Sequence, residues 1–429
     1  MSITYYIDPQ SGCDTNNGRS PQTPLKSLEA AALKPGDTAL FRRGCLITRS
    51  LKLIAGDPDA PITYGAYGEG ENPVIDNSVD ASDPALWQHE DGLLWRYIGS
   101  LPSEVCNIIF DGGQSFGNLR WSKEELDEPD EWFYTDIGLS TSRDCIAHPA
   151  NQGTLWLCAK QNPALEHASV RIAVWGSRRE VYAASNVVFE DFTLQNIGLH
   201  GFQGEFLSNV TVRRCRFLNL GGAVWDRELK IRFGNAVEFW NGASDCVVEH
   251  CTFVNIYDAG VTHQGDVRYS KQAERLYYRN NVFCRCGLAA YEWRGPSSQD
   301  VYFENNICIE PGGAFTLQGE PAPRRCEKEL VGATCTGVAI WRLETTISPD
   351  ATYCTIRNNV FCNIPDYGMA IASVIDPKHE RQFVIDNNLY LHEGESPFLR
   401  FDGRTFDAKA FELYKTLTGQ DKNSTLMGC

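Results

Sequence analysis

Seven times between Phe189 and Tyr390 the chain repeats one six-residue pattern: an apolar residue, two others, then Asn, Cys or Phe, one more, and a second apolar residue. It reads Phe189-Glu-Asp-Phe-Thr-Leu194, Val212-Arg-Arg-Cys-Arg-Phe217, Val248-Glu-His-Cys-Thr-Phe253, Tyr278-Arg-Asn-Asn-Val-Phe283, Phe303-Glu-Asn-Asn-Ile-Cys308, Ile356-Arg-Asn-Asn-Val-Phe361 and Ile385-Asp-Asn-Asn-Leu-Tyr390. The fourth positions are 192, 215, 251, 281, 306, 359 and 388, separated by 23, 36, 30, 25, 53 and 29 residues. A base period in the low twenties with loop insertions accounts for the series, and the interval of 53 has room for two coils. A helical solenoid would need longer runs with 3.6-residue periodicity, which are absent. Short apolar strands, Gly-rich corners and Asn stacked at one turn specify an all-β fold, a parallel β-helix whose coils bury their inward side chains against one another. Asn281, Asn306, Asn359 and Asn388 form a ladder in this reading, their amides bonding from coil to coil.

The remaining chain arranges itself around that solenoid. Residues 1–80 read as an N-terminal cap and the first coils, with a short helix over Pro24–Leu33 whose face of Leu25, Leu28, Ala32 and Leu33 plugs the open end. Residues 81–180 break the spacing and carry Trp87, Trp95, Trp121, Trp132, Trp156 and Trp175; they read as an inserted β-rich subdomain. There Asn107–Phe110 and Thr154–Cys158 look like paired strands, and the acidic run Ser122–Glu131 like an exposed loop. The main β-helix follows over 181–405, then a tail, 406–429, with a short helix from Phe406 to Leu417.

Charge narrows the partners. With 39 basic against 55 acidic residues the net charge is −16, which argues against nucleic acid and against anionic membranes. No apolar run reaches the length of a membrane span, and the opening residues lack a signal-peptide pattern, so the expectation is a cytosolic chain or one trimmed of its leader. The 16 cysteines are spread along the chain and read as small buried hydrophobes in a reducing compartment. Cys284 and Cys286 have the wrong spacing for a zinc knuckle, and no metal is expected there.

Particular stretches then point to a family. The opening Tyr5-Tyr-Ile-Asp-Pro through Asn16-Asn-Gly, the run Pro24-Leu-Lys-Ser-Leu-Glu-Ala-Ala, the turn Lys34-Pro-Gly-Asp-Thr38 and the Asn-Asn-x-Phe coils resemble the right-handed parallel β-helix superfamily of carbohydrate-active enzymes, the pectate-lyase-like group. Val237-Glu-Phe-Trp through Tyr257-Asp-Ala-Gly-Val-Thr-His-Gln-Gly265 resembles a bacterial glycosidase branch of it. The resemblance implies a glycoside hydrolase with a carbohydrate substrate and no required cofactor.

Three strand-like runs carry the candidate site: Asn235-Ala-Val-Glu-Phe-Trp240, Ala259-Gly-Val-Thr-His-Gln264 and Leu288-Ala-Ala-Tyr-Glu-Trp-Arg294. Matching apolar residues pairs Val237 with Thr262 and Tyr291, so Glu238, His263 and Glu292 share one outward column. The two glutamates then stand about 9–10 Å apart, two strand spacings, near the upper end for an inverting glycosidase. Glu238, Asp258 and Glu292 are the catalytic candidates; Asp226, Trp240, His263, Gln264, Asp266, Trp293 and Arg294 are the substrate-binding ones. Trp240 and Trp293 offer flat faces to a sugar ring. Asp258 equally suits a turn-holding role, and Arg294 could neutralise Glu292.

Two other functions fit the same residues. A polysaccharide lyase would take a proton beside a uronate with His263 or Arg294, with Ca²⁺ held by Asp226, Asp258 and Asp266. A non-catalytic glycan-binding β-helix would use the face without chemistry.

Overall fold

The computed structural model describes residues 2–136, 153–176, 179–228, 230–266, 268–295, 298–313, 315, 336–343, 352–364 and 368–428. Three faces of parallel strands wind around one core, which makes the chain a right-handed parallel β-helix. The first face takes the openings of the long strands His200–Arg213 and Val237–Glu249, then Ala259–Gln264, Ala289–Gly295, Thr336–Leu343, Met369–Ser373 and Leu399–Phe401. The second takes the later halves of the same two long strands, then Ala273–Arg279, Ser298–Glu304, Cys354–Arg357 and Phe383–Asp386. The third runs from Thr193–Gln195 through Arg216–Leu220, Thr252–Ile256, Val282–Cys286, Ile307–Ile309, Val360–Cys362 and Leu389–Leu391 to Thr425–Met427.

The Asn-Asn dipeptides explain how each coil turns and how it is held. The first Asn of each pair adopts the left-handed conformation that this side chain tolerates, with φ of 57° at Asn280, 58° at Asn305, 57° at Asn358 and 55° at Asn387. The second points inward as the ladder that the sequence indicates. Cys251 N–H donates to Asn281 Oδ1 at 2.9 Å, Asn281 N–H to Asn306 Oδ1 at 2.9 Å, Asn306 N–H to Asn359 Oδ1 at 2.9 Å, and Asn359 N–H to Asn388 Oδ1 at 3.0 Å. Each amide also donates to the preceding coil, as Asn306 Nδ2 does to the Tyr278 carbonyl at 2.9 Å. The ladder ends on a buried cap: Asn388 N–H donates to Ser424 Oγ at 2.8 Å, and Asp421 accepts from the Tyr390 and Tyr414 hydroxyls. Helix Phe411–Thr418, stopped by Gly419 at φ 70°, delivers that aspartate.

The interval of 53 residues is one coil, not two. Asn306 bonds Asn359 directly and Ile307–Ile309 pairs with Val360–Cys362, so the added length between Asn306 and Asn359 is insertion. One further column fixes the register, running Glu190, Arg213, Glu249, Arg279, Glu304, Arg357, Asp386 on neighbouring strands with alternating charge. Its pairs include Arg213–Glu190 at 2.6 Å and Arg357–Glu304 at 2.8 Å, and a slip by one coil would oppose like charges.

Two local expectations need correction. Pro24–Leu33 contains a single 3₁₀ turn, Leu28–Ala30, because the Asp14 carboxylate accepts from the N–H groups of Lys26 and Ser27 and holds an extended loop. Leu25 and Leu28 still enter the core. In the inserted segment, Val105–Phe110 pairs with Val170–Val174, whereas Leu155–Cys158 pairs with Leu94–Tyr97 and Glu131–Tyr134 in a second sheet. This segment has its own core around Trp132, Ile108 and Ile172. It docks on the β-helix through Ile109, Phe116 and Ala173 against Tyr257 and Phe315. Among the described residues no helix is long and apolar enough to cross a membrane, and the cysteines are free thiols.

Replacing Asn306 by Ala removes a buried acceptor and donor at once, taking from the Asn281 N–H its side-chain acceptor and from the Tyr278 carbonyl its side-chain donor. Chemical denaturation should register a loss of about 2–4 kcal/mol.

Candidate active site

The register of the first face decides which side chains look outward. Val237 lies beside Val261, not Thr262, and Val261 lies beside Tyr291. The outward column is therefore Gln203, Glu238, Thr262, Glu292 and Ala339. The glutamates keep the separation of two strand spacings, about 9–10 Å, with Thr262 between them.

His263 is not in this column. One residue of slip moves a strand side chain to the other face, and His263 falls in the inward row with Phe239, Trp293 and Ile340. Its ring is packed with Tyr278, Tyr291 and Trp293 at 5.5–6.4 Å between centroids, and Nε2 meets Ser298 Oγ at 3.0 Å. Burial alone pushes its pKa down to about 3, so the ring is neutral at ordinary pH. Trp293 is likewise fully buried in the core and offers no face to a sugar. The sequence match erred because Val237, Val261 and Tyr291 are apolar like their neighbours, which leaves the register open by one.

Glu238 is 2 % exposed and has a full set of partners. His200 Nδ1 stands 2.8 Å from its Oε2, an ion pair whenever that nitrogen is protonated, and Asn235 Nδ2 donates to the same oxygen at 3.1 Å. Burial pushes its pKa up, but the His200 ring and the Asn235 and Gln203 amides outweigh that and hold the carboxyl below its ordinary 4.5. Phe233 of the hairpin Ala223–Asp226/Ile231–Phe233 packs edge-on to His200 at 5.3 Å and fixes the ring. Neither His200 nor Gln203 was singled out from sequence. The signal existed: His200-Gly-Phe-Gln203 aligns with Asn235-Ala-Val-Glu238 residue for residue.

Glu292 is 1 % exposed; its Oε2 accepts from Thr262 Oγ1 at 3.2 Å and from Gln264 Nε2 at 3.2 Å. The next outward column holds Glu205, Trp240, Gln264, Arg294 and Trp341. Trp240 is half-buried there, and the Arg294 guanidinium lies 5.0 Å over the Trp341 ring. Asp258 sits at the corner entering Ala259–Gln264, where its Oδ2 accepts from the Gly234 N–H at 3.4 Å and its backbone bonds Gly234 and Leu288. Asp226 lies opposite Ile231 on the hairpin. Asp266 is clamped by Arg268 at 2.6 Å, which holds its pKa at about 2. Among the described residues no three His, Cys, Asp or Glu come together to hold a metal ion.

No family model matches the chain. A curated lacto-N-biosidase of Bifidobacterium longum subsp. longum is 37% identical over 98 residues, which are 20% of this chain and 6% of that protein. The likeness thus spans a small fraction of that protein's length. Among solved structures, the complex of XylC with xylose superposes with a TM-score of 0.58 at 12% identity, covering 92% of this chain and 67% of that one. A GH136 lacto-N-biosidase from Eubacterium ramulus gives a TM-score of 0.40 at 13% identity, over 100% of this chain and 68% of that one. The XylC likeness is one of fold alone.

The inward histidine has a measurable signature. Unfolding restores its ordinary pKa of 6.5, so the unfolded chain binds a proton that the folded chain refuses until about pH 3. Stability from this group is complete above pH 6.5 and falls as pH drops from 6.5 towards 3. His263→Phe should flatten that part of the profile of unfolding midpoint against pH.

Proposed function

We propose that this chain is a glycoside hydrolase whose two acting carboxyls are Glu238 and Glu292. The observation that carries the reading is the pair itself: two buried, hydrogen-bonded carboxyls on one outward column, separated by a single threonine. Apolar packing gives no reason to bury acids on an outer face.

The roles follow from surroundings. Glu238, held ionised by His200, Asn235 and Gln203, serves as the base that activates water. Glu292 delivers the proton to the departing oxygen, with Thr262 and Gln264 orienting it. A separation of two strand spacings leaves room for that water, as a single inverting displacement requires. Asp258, bound up with Gly234, positions the corner and stays outside the proton transfers. Part of a glycan lies along the column of Trp240 and Arg294.

A lyase reading loses support at its base. His263 faces the core, and Arg294 lies over an indole.

Glu238→Gln and Glu292→Gln should each lower kcat by about 10²–10⁴-fold on any cleaved oligosaccharide with circular dichroism unchanged. Asp258→Asn should cost less. The acid limb of the wild-type rate profile should fall below pH 4.5, because protonating the base abolishes it only there.

A further inference from the structure

The corner that leaves the first face poses an energetic puzzle at Phe206. Glu205 pairs with Trp240, so Phe206 in one coil and Asn241 in the next occupy the same corner. Both adopt left-handed backbone, φ 52° at Phe206 and 59° at Asn241. Asn tolerates this conformation, and the Asn241 amide oxygen accepts from Asp266 N–H at 3.0 Å. A phenylalanine there carries steric strain and no such bond.

Packing does not compensate. Phe206 is 45% exposed and belongs to no core cluster, while its neighbour Leu207 is 4% exposed and enters the core. The Lys271 ammonium lies 5.6 Å from the Phe206 ring, on the one described cation–π contact of this residue. The corner thus combines two costs, a strained backbone and an exposed aromatic, on the rim beside the half-buried Trp240. The corner needs the left-handed backbone, as Asn241 shows, but not a phenylalanine in it, and strain so retained points to a functional position.

We propose that Phe206 is a substrate-binding platform that takes the apolar face of a pyranose ring, in a sugar unit of an oligosaccharide beyond the bond that is cleaved. It lies three steps along the strand from Gln203, whose neighbour is Glu238, a distance of about 10 Å. A monosaccharide glycoside held at Glu238 and Glu292 does not reach it, and a longer chain laid past Trp240 does. The ring presents a flat carbon surface to axial C–H groups, so the class favoured is a neutral, equatorially substituted pyranose. The location of the scissile bond rests on the hydrolase reading above; the binding surface at Phe206 does not.

The test uses Phe206→Asn, the residue that the adjacent coil already carries in this conformation. Binding of a panel of neutral oligosaccharides to the whole chain is measured by calorimetry, turnover is followed in parallel on short and long substrates, and the unfolding temperature is recorded. The variant should unfold at the same or a higher temperature, bind long oligosaccharides about 5–10-fold more weakly, and raise KM for them with kcat and short-substrate turnover unchanged. Glycan binding without cleavage by the wild type, weakened in the variant, removes the hydrolase reading and keeps the platform. Equal binding by both proteins, no binding by the wild type, or a lower unfolding temperature in the variant overturns the platform.

Discussion

In-register stacking of coils is the constraint on which the rest depends. Each coil is too short to bury its own side chains and is stable only against its neighbours. The hydrogen bonds of Asn281, Asn306, Asn359 and Asn388 lock that stacking from inside, and the alternating Glu190-to-Asp386 column locks it from outside. One is insensitive to salt because it is buried; the other resists a slip by a coil through charge. Once register is fixed, so is every outward column on the first face.

The site is a consequence of that lock. Glu238 and Glu292 belong to strands separated by Thr262, so their backbone spacing is set by strand geometry and not by flexible loops. Insertions do the rest. The hairpin before Val237 places Phe233 against His200, and Trp175 packs on Phe233 at 5.9 Å. A contact chain therefore runs from Trp175 through Phe233 and His200 to Glu238.

Much of this is legible in the chain, for physical reasons. The Asn-Asn pairs announce themselves because one Asn must turn the backbone and the next must bond the adjacent coil. The charge column is equally plain, since Glu190, Arg213, Glu249, Arg279, Glu304, Arg357 and Asp386 immediately precede the corner in successive repeats. What escapes is parity. With Val237, Val261, Tyr291 and their inward neighbours all apolar, nothing in composition says whether Thr262 or His263 faces out, and the histidine was placed on the wrong side. The interval from Asn306 to Asn359 misled similarly, because one coil with an insertion and two coils have the same length. His200 is marked in the chain only by the alignment of its run with Asn235–Glu238, because its packing partner Phe233 lies thirty-odd residues away.

The central claim is that Glu238 and Glu292 act across one glycosidic bond with a water between them. The most direct test is the anomeric configuration of the first product, read by proton NMR within the first turnovers on a cleaved oligosaccharide. Two glutamates on strands two spacings apart, about 9–10 Å between backbones, leave room for a water and give a product of inverted configuration. A product of retained configuration, or one carrying a new carbon–carbon double bond, would contradict the account.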